Sequence, residues 1–398
     1  MPKNKTIFQL ALAQALMMSV NTLLLTSSAI IGLEIADNKS LATLPLAIQF
    51  FSTMLITFPA SIFMQKYGRK KGFYLATFFG FIGAVIAIYS ILNQDFILFC
   101  LSTLLFGIYT GFGNFFRFVA AEVSLGQKEI NKSISYVLVG GILAAIIGPN
   151  LAIHSKDLFD VAYIGLFATV FLLYTLNLIN FSFMTLPLIP ISHDEQSTSR
   201  SLSEIAKQPT FMVPLITALL GYCLMAFLMT ATPLSMKHNH FEIPDIAFVI
   251  QWHVLGMFVP SLFTGQLINR FGFFNISMTG AFFYLLCILI NLLGTEITHY
   301  WIALILLGVG WNFLFISATT KITMSYSAAE KAKTQALNDF FIFTAVAIAS
   351  LSAGFLQFYF GWQIVNLIMI PFVLIIIMVL IWYIKHQKST IKNNHLNA

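Results

Sequence analysis

Arg117, His253 and Asp339 lie inside or at the edge of long apolar stretches. A charge at the centre of a bilayer costs about 2.5–3.5 kcal/mol on insertion scales, so each such residue needs a partner or a task. Arg117 stands five residues before Glu122. It reads either as a snorkelling arginine paired locally with Glu122, or as a cation lining a cavity or gate. Asp339 follows Asn338 about one turn into an apolar stretch, where a helix dipole welcomes an anion. Its other reading is a cross-molecule partner for Arg117. His253, after Gln251 and Trp252, can move protons because imidazole titrates near neutrality, or it is a satisfied structural histidine. Successive helix positions point about 100° apart, so residues 251, 252 and 253 cannot all face one cavity.

Amides and aromatics supply the remaining candidates for contact with a solute: Gln14, Asn21, Asn114, Tyr222, Trp311 and Asn312. Gln14 and Asn21 are two turns apart and share one helix face. Positions 114, 252, 311 and 312 suit a flat, partly polar ligand. Each of these residues has a second reading as polar glue between helices. His238, His240 and Glu242 have ligand-like side chains, but close spacing in a loop is a weak metal signal, and no metal is assigned. Cys100, Cys223 and Cys287 show neither CxxC spacing nor even pairing. Phosphate-binding G-x-x-x-x-G-K-[ST], G-x-S-x-G and H-E-x-x-H patterns are absent, so neither an enzyme nor a cofactor is expected.

The elements that must hold these groups are set by composition. Of 398 residues, 58% are hydrophobic and 9% charged, and mean hydropathy is +0.86. Soluble domains carry about 25% charged residues, so this surface is built to face lipid. Stretches of the roughly 20 apolar residues that a crossing needs occur at 8–33, 42–64, 72–92, 96–120, 133–154, 161–184, 210–234, 245–268, 274–294, 300–320, 335–357 and 363–385. The first is too long for the apolar core of a signal peptide and reads as a retained span. With the N-terminus in the cytoplasm, seventeen of the 21 lysines and arginines fall on that side and three opposite, with Arg117 left within a span. The positive-inside rule therefore puts both termini in the cytoplasm of a cell whose inner membrane holds the chain. It also accounts for the +6 charge without nucleic acid. Residues 185–209, rich in proline, serine and mixed charge, read as a cytoplasmic linker between a half at 1–184 and a half at 210–398.

The halves echo each other. Ser61-Ile-Phe-Met-Gln65-Lys66-Tyr-Gly68-Arg69-Lys70 closes the second span, and Gly265-Gln-Leu-Ile-Asn269-Arg270-Phe-Gly272 closes the eighth. Leu-Leu-Phe-Gly107 parallels Ile-Leu-Leu-Gly308, and Lys132-Ser133 parallels Lys333-Thr334. Over essentially its whole length the chain resembles the major facilitator superfamily, whose corresponding loop reads G-x-x-x-D-R-x-G-R-R/K. Gly68 and the basic pair match, whereas Ser61 replaces a glycine and Gln65 an acid. Gly140-Gly141 and Gly148-Pro149 partly match that family's antiporter motif but lack the trailing glycines.

The resemblance implies an all-α integral membrane fold of twelve transmembrane helices in two pseudo-symmetric six-helix halves. It implies a secondary carrier with a midplane site working by alternating access, a lipid-embedded monomer with a small-molecule solute as partner, and proton coupling left open. The acidic loop position latches the cytoplasmic side in the family, so amides at Gln65 and Asn269 predict a latch without charge. The run Gly308-Val-Gly310-Trp311-Asn312 resembles a bacterial branch of that family. Import of a vitamin-like nutrient or metal chelate (siderophore) is slightly favoured. The alternatives are an efflux antiporter for amphipathic compounds and a non-transporting sensor or scaffold.

Overall fold

In hydrocarbon every backbone N–H and C=O must be paired within its own segment or closed barrel, and these apolar stretches solve the problem as helices. The computed structural model describes residues 2–124, 127–186, 200–327 and 330–396, and among them the regular elements are helical. In chain order they are α1 (Pro2–Ile35), α2 (Leu44–Tyr67), α3 (Arg69–Asn93), α4 (Phe96–Gly113), α5 (Phe116–Glu122), α6 (Gln127–Ser155) and α7 (Ile164–Ser182). Then follow α8 (Leu202–Ala206), α9 (Pro209–His238), α10 (Ile243–Phe258), α11 (Ser261–Leu293), α12 (Ile297–Ile322) and α13 (Lys331–Leu396). Among the described residues nine helices are long and apolar enough to cross a membrane, and the shorter Val139–Ser155 and Ile243–Phe258 are apolar as well.

Local chemistry sets the ends and bends. Asp95 caps α4 by accepting from the backbone N–H of Ile97 and Leu98 at 2.9 and 3.0 Å. Gly68 (φ +95°, ψ 150°) separates α2 from α3. Gly272 (φ +81°, ψ 164°) breaks α11, and Gly361 (φ +74°, ψ 179°) breaks α13. Glycine alone visits that part of conformational space at little cost. Two expected spans differ from the observed helices. The stretch 245–268 bends at Val259–Pro260, because proline lacks the N–H that the helix ladder needs. The stretch 96–120 is interrupted after Gly113, where Gly111, Gly113 and Asn114 are poor helix formers.

The N-terminal set, α1 to α7, packs α1 on α6, α4 on α2 and α3, and α7 on α3 and α1. The C-terminal set, α9 to α13, packs α9 on α12 and α13, α10 on α12, and α11 on α12 and α13. Small residues bring backbones together in both sets. A Cβ on Gly148 would meet Ser19 O at 2.5 Å, and one on Gly308 would meet His253 O at 2.4 Å. Hydroxyls tie the same seams, with Thr22 Oγ1 donating to Ala144 O at 3.0 Å and Thr53 Oγ1 to Gly107 O at 3.0 Å. Phe58, Phe78, Leu172, Leu289 and Met378 are exposed, which leaves apolar surface outside. A soluble protein would hide it; lipid solvates it.

The two sets meet unevenly. At the end farthest from the Gly68 and Gly272 turns, Ala29, Ala42, Leu46 and Leu234 share a buried cluster. There Gly354 N donates to Thr43 Oγ1 at 3.2 Å, and Asn150 Nδ2 donates to Gln251 Oε1 at 2.8 Å. At mid-depth the Gly141 Cα faces the Phe258 ring, and Thr344 Oγ1 donates to Met54 Sδ at 2.9 Å. Nearer the basic turns, the hydrogen bonds found among the described residues stay within one set or reach the segment before α8.

Candidate functional site

Between the sets, at the depth where their contacts thin out, lies a cavity of about 150 Å³. Its N-terminal wall includes Asn21, Gln49, Thr53, Thr110 and Asn114, and its C-terminal wall includes Tyr222, Phe258, Trp311 and Phe343. Methionines 18, 225, 229 and 257 fill between them, supplying soft and adaptable apolar surface.

One wall is polar. Gln49 Nε2 and Thr110 Oγ1 both donate to Asn21 Oδ1 at 3.1 Å. This fixes the amide of Asn21 and leaves Gln49 Oε1 buried with no partner among the described residues. The other wall is aromatic. Trp311 stacks on Phe315, with centroids 5.0 Å apart and planes 11° apart, and Tyr222 stands edge-on to Trp311 at 5.3 Å. Trp311 Nε1 is likewise buried and unpartnered. The site therefore sets amide and hydroxyl groups on one wall against rings on the other, with one acceptor and one donor buried without partners in its lining residues.

The candidates from sequence distribute unequally. Asn21, Asn114, Tyr222 and Trp311 line the cavity. Gln14 instead sits beside Gly140 in the α1–α6 seam, because the glycine opens room for its Cβ there. Gln251 is engaged by Asn150 across the far end. Trp252 faces outward against Phe248 and Trp301, and is 38% exposed. His253 is fully buried between α10 and α12 with Nδ1 on Leu304 O at 2.8 Å, away from the cavity. Asn312 is saturated: Nδ2 donates to Met257 O and Ser261 Oγ at 2.6 Å, and Oδ1 accepts from Thr264 at 2.6 Å. It binds α12 to the bend that Pro260 makes. Gln49, Thr53 and Thr110 were not singled out from sequence. Gln49 carried a readable sign, as the only amide in the stretch 42–64.

The charged candidates also regroup. Glu122 pairs with Arg69, not with Arg117, so the local Arg117–Glu122 pair is corrected. Arg69 comes from the first turn of α3, and its second carboxylate contact, from Nε, is 3.2 Å. Its guanidinium also covers the Phe115 ring at 5.4 Å. Lys70 donates to the Ser182 and Met184 carbonyls at 3.0 and 2.8 Å. Arg117 is exposed, and it shares an electrostatic neighbourhood with Asp339 and Tyr222 without an ion pair. Asp339 accepts from Asn338 Nδ2 at 3.0 Å. Gln65, Asn269 and Arg270 are exposed, with Arg270 over the Phe271 ring at 5.2 Å.

Beyond the cavity, Arg200 grips Glu330 through its backbone N–H and Nε at 2.8 Å and Nη2 at 2.7 Å. The guanidinium and the Ser327 N–H hold the Glu330 carboxyl far below the usual carboxylate range. His238, His240 and Glu242 do not converge, and no metal-holding group of His, Cys, Asp and Glu occurs among the described residues.

Helices of membrane-spanning length in two packed sets around a mid-depth cavity are an architecture suited to carrying a solute across a bilayer. The chain belongs to the Major Facilitator Superfamily, whose model matches residues 10–343. This is a family of transporters, not enzymes, and the chain is a multi-pass membrane protein. It is 36% identical over 383 residues to the riboflavin transporter RfnT of Brucella anthropi, covering 96% of each chain. It is 24% identical over 378 residues to the uncharacterized transporter YddS of Bacillus subtilis, covering 91% of this chain and 86% of that one. Among solved structures, the human organic anion transporter MFSD10 superposes with a TM-score of 0.68 at 14% identity, covering 96% of this chain and all of that one. The nucleoside transporter NupG matches at 0.68 and 15%, covering 96% and 99%. These last two likenesses concern the fold.

Proposed function

We propose that this chain is a secondary carrier importing riboflavin, or a planar nutrient of that kind, across the inner membrane. The observation that carries the proposal is the cavity's split character, a ring wall of Trp311, Tyr222 and Phe258 opposite the Asn21–Gln49–Thr110 amide and hydroxyl wall. Flavin is a flat ring system with an imide edge that donates once and accepts beside it, and it bears a hydroxylated chain. Trp311 Nε1 and Gln49 Oε1, buried without partners among the described residues, supply a donor and an acceptor for such an edge once the sets part. The likeness to a riboflavin transporter over 96% of both chains supports the same solute.

The working cycle is alternating access between residues 1–184 and 210–398, tethered by 185–209. Twelve crossings follow if α13 counts as two spans parted at Gly361, and if α6 and α10 with the start of α11 each count as one. Both termini and the basic turns then face the cytoplasm, where the lysine and arginine bias belongs. On this reading the structure is closed outward and loosened inward. Its cavity of about 150 Å³ is below the roughly 300–1,000 Å³ of small-molecule sites, so admitting the vitamin requires the sets to part further on the basic side. The carrier works as a monomer in lipid, and Arg117 and Asp339 approach each other when the basic side shuts.

Uptake of labelled riboflavin by a riboflavin-requiring host tests the proposal, with proteoliposomes under and without a pH gradient reporting proton coupling. Accumulation above the vector control, cut about tenfold by Trp311→Ala, is expected. No accumulation with correctly inserted protein rejects the solute.

A further inference from the structure

The polar groups of the central cavity are not equally available. Asn21 Oδ1 already accepts twice, and Gln49 Oε1 and Trp311 Nε1 are sealed in the walls until the sets part. Asn114 and Tyr222 differ. Both line the cavity and both are half-buried, yet neither the Asn114 amide nor the Tyr222 hydroxyl has a hydrogen-bond partner among the described residues. An accessible amide or phenol with no protein partner exchanges only water for a solute, so binding breaks no bond within the protein.

The helices that carry these two residues put them at one end of the cavity. α4 runs toward the basic turns, so Asn114, whose N–H donates to Thr110 O at 2.9 Å, stands one turn nearer them than Thr110. Residues four apart share a helix face, and the Thr110 hydroxyl on that face reaches Asn21 across the cavity. α9 runs the opposite way, toward the far end, so Tyr222 lies about one turn nearer the basic turns than Met225. Trp311 and Phe343 stand edge-on to its ring at 5.3 and 6.2 Å, which fixes the ring and leaves the hydroxyl free.

We propose that Asn114 and Tyr222 form a subsite for the hydroxylated chain of the solute, and so decide which flat rings are carried. The proposal rests on reading the chain as a flavin carrier. With the flavin ring between the ring wall and the Asn21–Gln49–Thr110 wall, its chain extends toward the basic turns. There one hydroxyl donates to the Asn114 amide oxygen, and others accept from the Asn114 amide nitrogen or exchange hydrogen bonds with the Tyr222 hydroxyl. The match needs no charge, and no Asp, Glu, Lys, Arg or His lines the cavity. Asn114 belongs to the N-terminal set and Tyr222 to the C-terminal set, so the chain bridges the sets at the end where they part. A ring without the chain leaves both side chains unpaired.

Riboflavin and lumiflavin share the ring system, and lumiflavin has a methyl group in place of the hydroxylated chain. Each is titrated against the full-length protein in nanodiscs, with quenching of flavin fluorescence as the readout. The wild type is expected to bind riboflavin about tenfold more tightly than lumiflavin. Tyr222→Phe keeps the ring against Trp311, and Asn114→Leu keeps the bulk of the side chain. Each weakens riboflavin about fivefold and leaves lumiflavin within about twofold. Damage to packing weakens both flavins together, so a parallel loss overturns the subsite. Equal binding of the two flavins by the wild type, or undiminished riboflavin binding in either variant, overturns it as well. Binding of neither flavin by folded wild-type protein rejects the flavin reading itself, whereas riboflavin binding with no preference for the chain rejects only the subsite.

Discussion

The turn at Gly68 and the turn at Gly272 are copies in backbone and strangers in side chain. Both glycines hold nearly the same left-handed geometry, φ +95° and +81° with ψ near 150–165°. After Gly68 come Arg69 and Lys70, which bind Glu122 and two carbonyls at the end of α7. After Gly272 come Phe273 and Phe274, and Phe273 packs edge-on against Tyr383 at 6.1 Å. The C-terminal set has its strong ion pair elsewhere, where Arg200 ahead of α8 grips Glu330. The two turns share what the backbone must do to reverse direction in a short space. One is fastened with charge and the other with rings, since either contact holds two helices together.

Substituting alanine for either glycine tests the shared part with the largest effect. Gly68→Ala and Gly272→Ala each cost about 1–3 kcal/mol, read as thermal unfolding in detergent. Nothing lies within 4 Å of a Cβ at Gly272, so its loss comes from backbone strain alone. A harmless Gly272→Ala breaks the equivalence of the turns.

Removing the fastener comes next. Glu122→Gln lowers stability by about 1 kcal/mol, because the pair is bidentate but partly exposed, and high salt shrinks the difference. The matched change Phe273→Ala gives a loss insensitive to salt.

Acid sharpens the contrast at the third site. Glu330 has a folded pKa depressed below the carboxylate value of 4.5, so its contribution is complete above that pH and fades as pH falls below it. Tryptic cleavage after Arg200, run near pH 8, should be slow in the wild type and faster in Glu330→Gln, and the difference in thermal unfolding between the two should shrink as pH falls below 4.5. Unchanged cleavage in that variant separates the Arg200 grip from the hold on α8.

The smallest effect belongs to Arg270→Gln, expected within about 0.5 kcal/mol of wild type, since the side chain is exposed and lies only on its neighbour's ring. A large effect means that Arg270 has a partner in another conformation.

The sequence by itself determined the solvent, the helices and the repeat. Apolar stretches of spanning length, a one-sided lysine and arginine bias, and paired glycines at similar offsets are local or statistical properties, so they are readable without coordinates. The pairing of Gly68 with Gly272 was legible too, whereas their positive φ came from the structure. Which polar residues share a cavity was decided by the tertiary structure. Asn21, Asn114, Tyr222 and Trp311 line it, whereas His253 and Asn312 turn into helix seams and Trp252 turns outward. In a span, an amide facing a cavity and an amide gluing two helices have the same neighbours in sequence. Only the rotation of each helix and the partner packed against it tell them apart.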